Sequence, residues 1–293
     1  MKSYLPAGST AEGAWSLRVT PELAGWAYCG LRVLELGPGA ADGFASGGEE
    51  LLVVPLEGGC VVECESRRFE LAGRDGVFAG VSDFAYVPRD AEVRVSSAGG
   101  GRFALPSAVA ANRLDPGYGP AAEVPVELRG AGQSSRQVNN LCTPASFPAD
   151  KLIAVEVLTP GGNWSSYPPH KHDEQRPGEV ELEEIYYFEV NGVDAGEPRA
   201  GADPVGYQRV YGTDERPIDV LAEVRSGDVV LVPHGWHGPA MAAPGYDLYY
   251  LNVMAGPGQQ RAWLICDDPA HGWVRDTWSD QPVDPRLPLG GAR

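Results

Sequence analysis

Apolar and polar positions along this chain alternate in short bursts. Runs such as ELLVVPLEG, CVVECESRRFEL, DFAYVP and EVRVSS in the first half, and KLIAVEVL, EEIYYFEV, GYQRVYG, DVVLVP and DLYYLNVMA in the second, are rich in Val, Tyr, Phe and Ile and end at Gly, Pro or Asp. β-Branched and aromatic side chains fit a pleated, half-buried surface, and the breakers stop each run within a few residues, so the pattern predicts many short strands. Helical periodicity sustained over ten residues is scarce. The spacing of the runs predicts an all-β chain built as antiparallel sandwiches or small barrels.

A weak internal repeat divides the chain. GVSDFAYVPRDAEVRV (80–95) and SGDVVLVPHGWHGPAM (226–241) share an acidic residue, an apolar run, Val-Pro, and a turn into another strand. Between them, LDPGYGPAAEVPVELRGAGQ is dominated by Gly, Pro and Ala. Two antiparallel β-barrels are therefore expected, 1–135 and 136–293, in keeping with roughly 150 residues per domain for a chain of 293. With 38 Gly and 26 Pro against 43% hydrophobic residues, the punctuation reads as turns rather than disorder.

Charge narrows the partners. A formal net charge of -17 with no cluster of Lys or Arg opposes binding to nucleic acid or to an anionic membrane surface, both of which need a basic footprint. An anionic small ligand would need a local cation inside its site. No stretch of 18 apolar residues occurs, and the opening MKSYLPAGSTAEGAWSL lacks the apolar core of a signal peptide, so a soluble, cytoplasmic protein is expected. The five cysteines, Cys29, Cys60, Cys64, Cys142 and Cys266, are odd in number and scattered, which opposes a disulfide framework. Many strand edges would need covering, and a homo-oligomer is expected on that ground.

Histidine is confined to the second half, at positions 170, 172, 234, 237 and 271. In SSYPPHKHDEQRPGEVELEEIYYF (165–188), His170 and His172 are two apart, which on a strand puts both rings on one face. Glu184 opens the strand that follows, with Tyr186 and Phe188 on its own face; Glu183 competes with it, since alternation lets only one of the pair point inward. His237 follows GDVVLVP at a turn that can return to the same face. His234 is the rival, but its Pro-His-Gly setting reads as the turn itself. Three imidazoles and a carboxylate converging from separate strands suit a divalent cation with a coordination position left open. His271 has no ligand partner nearby and reads as structural. Glu179 and Glu181 read as a solvated loop.

HxH, a later Glu, and G-x5-P-x-G-x-H (Gly227 to His237) resemble the two cupin motifs. The Glu lies farther from the HxH than is usual, with DEQRPGEVELE interposed, and the second motif is one residue short before its His. Together with RGAGQSSRQVNN (129–140), GYQRVYG, APGYDLYYLNVMAGP (243–257) and DDPAHGW, these segments resemble the 5-deoxy-glucuronate isomerase family of myo-inositol catabolism. The resemblance implies a bicupin whose C-terminal barrel alone holds metal, with His170, His172, Glu184 and His237 as ligands. It is also what selects Glu184 over Glu183. It implies an aldose–ketose isomerase that takes 5-deoxy-D-glucuronate, a small sugar acid, to 5-dehydro-2-deoxy-D-gluconate. The cofactor expected is a divalent ion, zinc first, with manganese or iron as alternatives.

For an enediol route a base must reach the C2 hydrogen, and Tyr186, Lys171 and Glu183 are the candidates. Arg209, central in YQRVY, is the first candidate for the substrate carboxylate, and Arg136 the second. Tyr250 and Asn252 share a strand face that could line the same cavity. Two rival functions use the same ligand set: an iron-dependent cupin dioxygenase, and a sugar-binding bicupin without turnover.

Overall fold

The computed structural model describes residues 2–192 and 201–290. The runs become strands, and the only α-helix among the described residues is the single turn Pro21–Ala24. ELLVVPLEG and the first part of CVVECESRRFEL fuse into one sixteen-residue strand, Glu49–Cys64. Its register slips between Pro55 and Glu57, and Gly58 takes φ 77. An extra residue bends a strand, and here the bend carries the chain from one sheet to the other. The first part pairs with Phe84–Val87 and Gly101–Val109, the last part with Arg67–Arg74 and Glu92–Ser96.

The N-terminal barrel's larger face runs in the order Gly117–Gly119, Phe84–Val87, Glu49–Cys64, Gly101–Val109, Cys29–Leu36, Trp15–Val19. The C-terminal barrel repeats that order as Tyr4–Leu5, Val229–Val232, Glu183–Gly192, Tyr246–Ala255, Ile153–Thr159, Arg136–Cys142, with Val126–Arg129 added at the edge. A second sheet closes this barrel: Asp219–Val224, Gly206–Tyr211, Trp236–Ala242, His170–Lys171 and Cys266–Asp267, with Trp164–Ser165 on the Trp236–Ala242 strand. This is the all-β bicupin architecture.

The boundary drawn at 135/136 does not follow the sheets. Val126–Arg129 already pairs with Arg136–Cys142, and Tyr4–Leu5 pairs with Val229–Val232 of the C-terminal barrel. Gly117–Gly119, from the connecting segment, edges the N-terminal sheet against Phe84–Val87. The C-terminal barrel thus takes two edge strands from before that boundary, and a boundary read from composition misses this because those pieces are held by backbone pairing rather than by a distinctive pattern.

Alternation sorts the side chains into three cores. Leu51, Val53, Val62, Val87, Val95, Phe103 and Leu105 fill the N-terminal barrel. Ile185, Tyr187, Tyr249, Leu251 and Val253 turn out of the C-terminal barrel and meet Leu31, Val33, Leu52, Val54 and Ala104 of the other in a shared core. Between the barrels the buried Arg74–Glu156 pair is reinforced by Tyr249 Oη (3.0 Å) and Asn139 Nδ2 (2.9 Å), both donating to Glu156. Two glutamates clamp the barrels reciprocally. Glu50 accepts from the backbone N–H groups of Asp150, Lys151 and Leu152, and Glu183 from those of Ala27, Tyr28 and Cys29. The third core, inside the C-terminal barrel, carries the polar groups.

Candidate metal centre and substrate chamber

The second sheet of the C-terminal barrel sets His170 directly opposite His237. His172 follows at the end of its short strand, and Glu184 enters from the other sheet, between Val232 and Met254. All four side chains are buried. The His170 and His237 ring centres are 4.5 Å apart and those of His172 and His237 4.7 Å. Glu184 Oε2 lies 3.0 Å from the Nε2 atoms of both His172 and His237.

The second nitrogen of each ring decides what this cluster can do. Nδ1 of His170, His172 and His237 faces the carbonyl oxygens of Pro168 (3.4 Å), Leu182 (3.2 Å) and Gly235 (3.1 Å). A carbonyl only accepts, so each Nδ1 is where the proton of a neutral ring sits, and Nε2 is then the lone pair turned inward. His237 Nε2 is fully buried without a hydrogen-bond partner, although Glu184 is at contact distance. Lone pairs and a carboxylate gathered this closely repel unless an extra proton or a cation sits among them. The electrostatics carry the same tension. Burial, then the neighbouring His237 and His172, push His170 well below the usual imidazole range. Burial opposes charge on His172 too, but the hydrogen bond and charge of Glu184 win and raise it. Burial would raise Glu184, and the His237 charge and His172 hydrogen bond hold it well below the ordinary carboxylate range. A tautomer-locked set of three nitrogens and one carboxylate fits a divalent ion.

From Glu184 a line of polar groups runs down the same wall. Tyr186, two residues on, is buried with its ring 6.2 Å from that of His237. Its hydroxyl lies 3.2 Å from Ser166 Oγ, which lies 3.1 Å from the Tyr250 hydroxyl. Ser166 reaches in because Gly238, with φ 102, has no side chain: a Cβ there would stand 1.8 Å from the Ser166 carbonyl oxygen. Burial raises both phenols, most strongly Tyr186, where the Glu184 charge adds to it. Both therefore keep their protons at neutral pH and act as donors.

Arg136 stands beyond Tyr250 with its side chain on the face that carries Val138 into the barrel. The guanidinium is buried, packs over Trp278 (5.4 Å to the ring centre), and donates one hydrogen bond, Nη1 to the Ser134 carbonyl (2.9 Å). Among the described residues no carboxylate pairs with it. Burial lowers its pKa to about 10, so it stays charged at neutral pH. Gly130, with φ 80, makes room for it; a Cβ there would meet Nη1 at 2.8 Å.

The KduI/IolB family matches residues 4–274. The chain belongs to that family. A 5-deoxy-glucuronate isomerase of Geobacillus kaustophilus is 43% identical over 283 residues, 93% of this chain and 95% of the relative. An IolB-like protein from Salmonella typhimurium superposes with a TM-score of 0.83 at 32% identity, covering 94% of this chain and 99% of that one. Bacillus subtilis oxalate decarboxylase, studied for its Mn(II) centres, shares the fold at 12% identity with a TM-score of 0.60, covering 91% of this chain and 79% of its own.

Against this KduI/IolB frame, several sequence expectations change. Lys171 lies between two inward histidines and so faces outward, where its ammonium binds Asp173 (2.5 Å), Glu174 (2.7 Å) and Glu179 (2.8 Å). Burial works against that charge, but the three carboxylates raise the pKa, so Lys171 is not placed to act as a base. Glu179 is buried in this knot rather than solvated. Glu183 is committed to the N-terminal barrel by its three backbone donors.

Arg209 is also on the outer face. Its Nη1 binds the Asp219 carboxylate and the carbonyls of Val210 (3.1 Å) and Val220 (2.9 Å), and its plane lies over Tyr211. The inward residues of that strand are Gln208 and Val210. His271 lines a groove of about 400 Å³ on this outer face with Arg209 and Tyr167. The tightest cluster is formed by His172, Glu184 and His237; His170 and His234 both stand outside it, but His170 lies across the strand pair from His237 with ring centres 4.5 Å apart. Ser166 and Gln208 escaped sequence reasoning. For Gln208 the only signal was strand parity, since Tyr207, Arg209 and Tyr211 form the bulkier, outward set.

Proposed function

We propose that the protein is a 5-deoxy-glucuronate isomerase acting on the small sugar acid inside the C-terminal barrel, as the names of its relatives suggest. In this aldose–ketose isomerisation the C2 hydrogen moves to C1 and the O2 hydrogen to O1, so no external oxidant enters. Such a reaction, placed in inositol catabolism by the family resemblance, yields 5-dehydro-2-deoxy-D-gluconate. The observation that carries the reading is Arg136, a buried cation with no carboxylate at ion-pair distance among the described residues, on the inner face of the barrel that also holds three imidazoles and a carboxylate. A buried unpaired charge costs several kcal/mol, and a substrate carboxylate would offset that cost while the other end of the molecule meets Glu184 and the histidines.

A divalent ion held by His170, His172, Glu184 and His237, with zinc favoured by the nitrogen-rich set and manganese or iron as alternatives, would supply Lewis-acid polarisation of the carbonyl and its neighbouring hydroxyl. Arg136 orients the acid and fixes which end reaches the histidines. Tyr186, held as a phenol, donates to an oxygen that gains negative charge, and Ser166 and Tyr250 extend that donor line toward Arg136. Val138, Val155, Val157, Phe188 and Val230 belong to the apolar core of the same barrel.

The test combines metal analysis with a ketose-forming assay on 5-deoxy-glucuronate. Arg136→Met should raise KM roughly ten- to a hundredfold with a smaller change in kcat and unchanged metal content, because a charge-assisted contact made equally throughout the reaction appears as uniform binding. Oxygen uptake, or metal content without ketose formation, would instead favour a dioxygenase or a non-catalytic binder.

A further inference from the structure

Gln208 faces into the metal-bearing barrel from the sheet opposite the Tyr186–Tyr250–Arg136 wall. Its side chain is fully buried. The amide nitrogen makes only a long contact, 3.5 Å, to the carbonyl of the next residue, and Oε1 has no hydrogen-bond partner. A buried amide oxygen left bare costs more than a typical hydrogen bond contributes. Its cross-strand neighbours are Ala222 and Ala240, small side chains in an inner lining otherwise rich in Val, Phe and Tyr. One inward step along the strand, Val210 pairs with His237. A bare acceptor flanked by small residues and one step from the histidines is the arrangement expected of a group that waits for a ligand donor.

We infer that Gln208 is a specificity-determining residue whose side-chain oxygen accepts a hydrogen bond from a hydroxyl in the middle of the substrate. This rests on the isomerase reading above. In 5-deoxy-glucuronate the C1 carbonyl and C2 hydroxyl are the reacting groups, C6 is the carboxylate and C5 carries no oxygen. The hydroxyls at C3 and C4 remain. With C6 at Arg136 and C1–C2 at the histidines, these two lie between the ends of the molecule, and Gln208 is the polar side chain that the strand beside His237 turns inward. A carboxylate or carbonyl cannot donate to Oε1; a hydroxyl can. The amide therefore selects polyhydroxylated acids over acids of the same length with a bare chain.

The experiment is Gln208→Met, which keeps volume and removes the acceptor. Expected are a KM for 5-deoxy-glucuronate raised roughly three- to tenfold, unchanged metal content, a raised Tm of the ligand-free protein, and loss of discrimination against an analogue lacking the C3 and C4 hydroxyls. A variant with unchanged KM that still discriminates overturns the inference and assigns Oε1 to a trapped water. If the variant fails to fold, wild type alone decides, because equal kcat/KM for substrate and bare-chain analogue overturns the inference. If wild type turns over no 5-deoxy-glucuronate, the isomerase reading fails by itself. The shift in Tm caused by glucuronate then decides Gln208: a shift in wild type that shrinks in Gln208→Met supports it, and equal shifts overturn it.

Discussion

The two barrels share a sheet order and differ in what they do with the space inside. In the N-terminal barrel Leu51 stands opposite Val87, just before Pro88; in the C-terminal barrel Glu184 stands opposite Val232, just before Pro233. The residue before each is the clamp glutamate, Glu50 or Glu183, which grips the start of the other barrel's strand. Register, clamp and Val-Pro turn are thus common to both. Leucine against glutamate at one inward position, and no histidine anywhere in the first half, separate a barrel filled with apolar side chains from one whose interior carries buried polar groups. The architecture tolerates both fillings because the outward residues, which build the shared core, are apolar in each barrel.

Removing a ligand should erase the difference most completely. His170→Ala, His172→Ala, Glu184→Gln and His237→Ala should each weaken metal binding by at least about 100-fold and abolish isomerisation, while His234→Ala should leave both nearly intact. Metal content after dialysis checks this, and loss of metal in His234→Ala with retention in His237→Ala would reverse the assignment. A smaller effect is expected in the opposite direction. Leu51→Glu, which copies the C-terminal residue into the N-terminal barrel, should recruit no second metal and should destabilise by roughly 3 kcal/mol or more, because a carboxylate buried among Val62, Val87 and Phe103 has no partner. Urea unfolding measures it.

The smallest effect concerns the clamps. Burial raises the pKa of Glu183 above its ordinary 4.5, and its three backbone donors only partly oppose the shift. A raised folded-state pKa means that the folded form holds the proton more tightly than the unfolded one. The stabilisation is therefore complete below about pH 4.5 and is lost as pH rises through the folded value. Glu183→Gln should lack this contribution, so wild type should lose stability relative to the variant as pH rises above about 4.5. Chemical denaturation across that range would show it, and parallel curves would contradict it.

Much of this was readable in the sequence. The strand runs, the repeated Val-Pro turn and the spacing of His170, His172 and His237 placed the histidines on one inner face because strand parity is a rigid rule. Parity also left a choice where both faces looked alike. In GYQRVY, an arginine among tyrosines reads as a binding residue, yet the shared core and chamber left the bulky set outside and turned Gln208 in. Lys171 was fixed by its neighbours: with histidines inward on both sides it had to face out, where Asp173, Glu174 and Glu179 collect it. The importance of Arg136 depends on which acids come near it, a property of tertiary structure that local sequence does not carry. The same holds for Tyr4–Leu5, whose place in the distant sheet is a matter of backbone pairing.

That edge strand bears on how the molecule is assembled. Leu231 N donates to Ser3, and Asp228 accepts from the Tyr4 hydroxyl and the Ala7 backbone, all at 2.7–2.8 Å. Val230, beside which Tyr4 lies, is the cross-strand neighbour of Tyr186. Tyr4 and Leu5 therefore have no strand partner until a segment more than two hundred residues further along the chain has been made. The Gly117–Gly119 strand, by contrast, can close the first barrel soon after its own synthesis. The C-terminal barrel thus gains its edge strand from far back in the chain, whereas the edge strand of the N-terminal barrel lies close in sequence to the strand it pairs with.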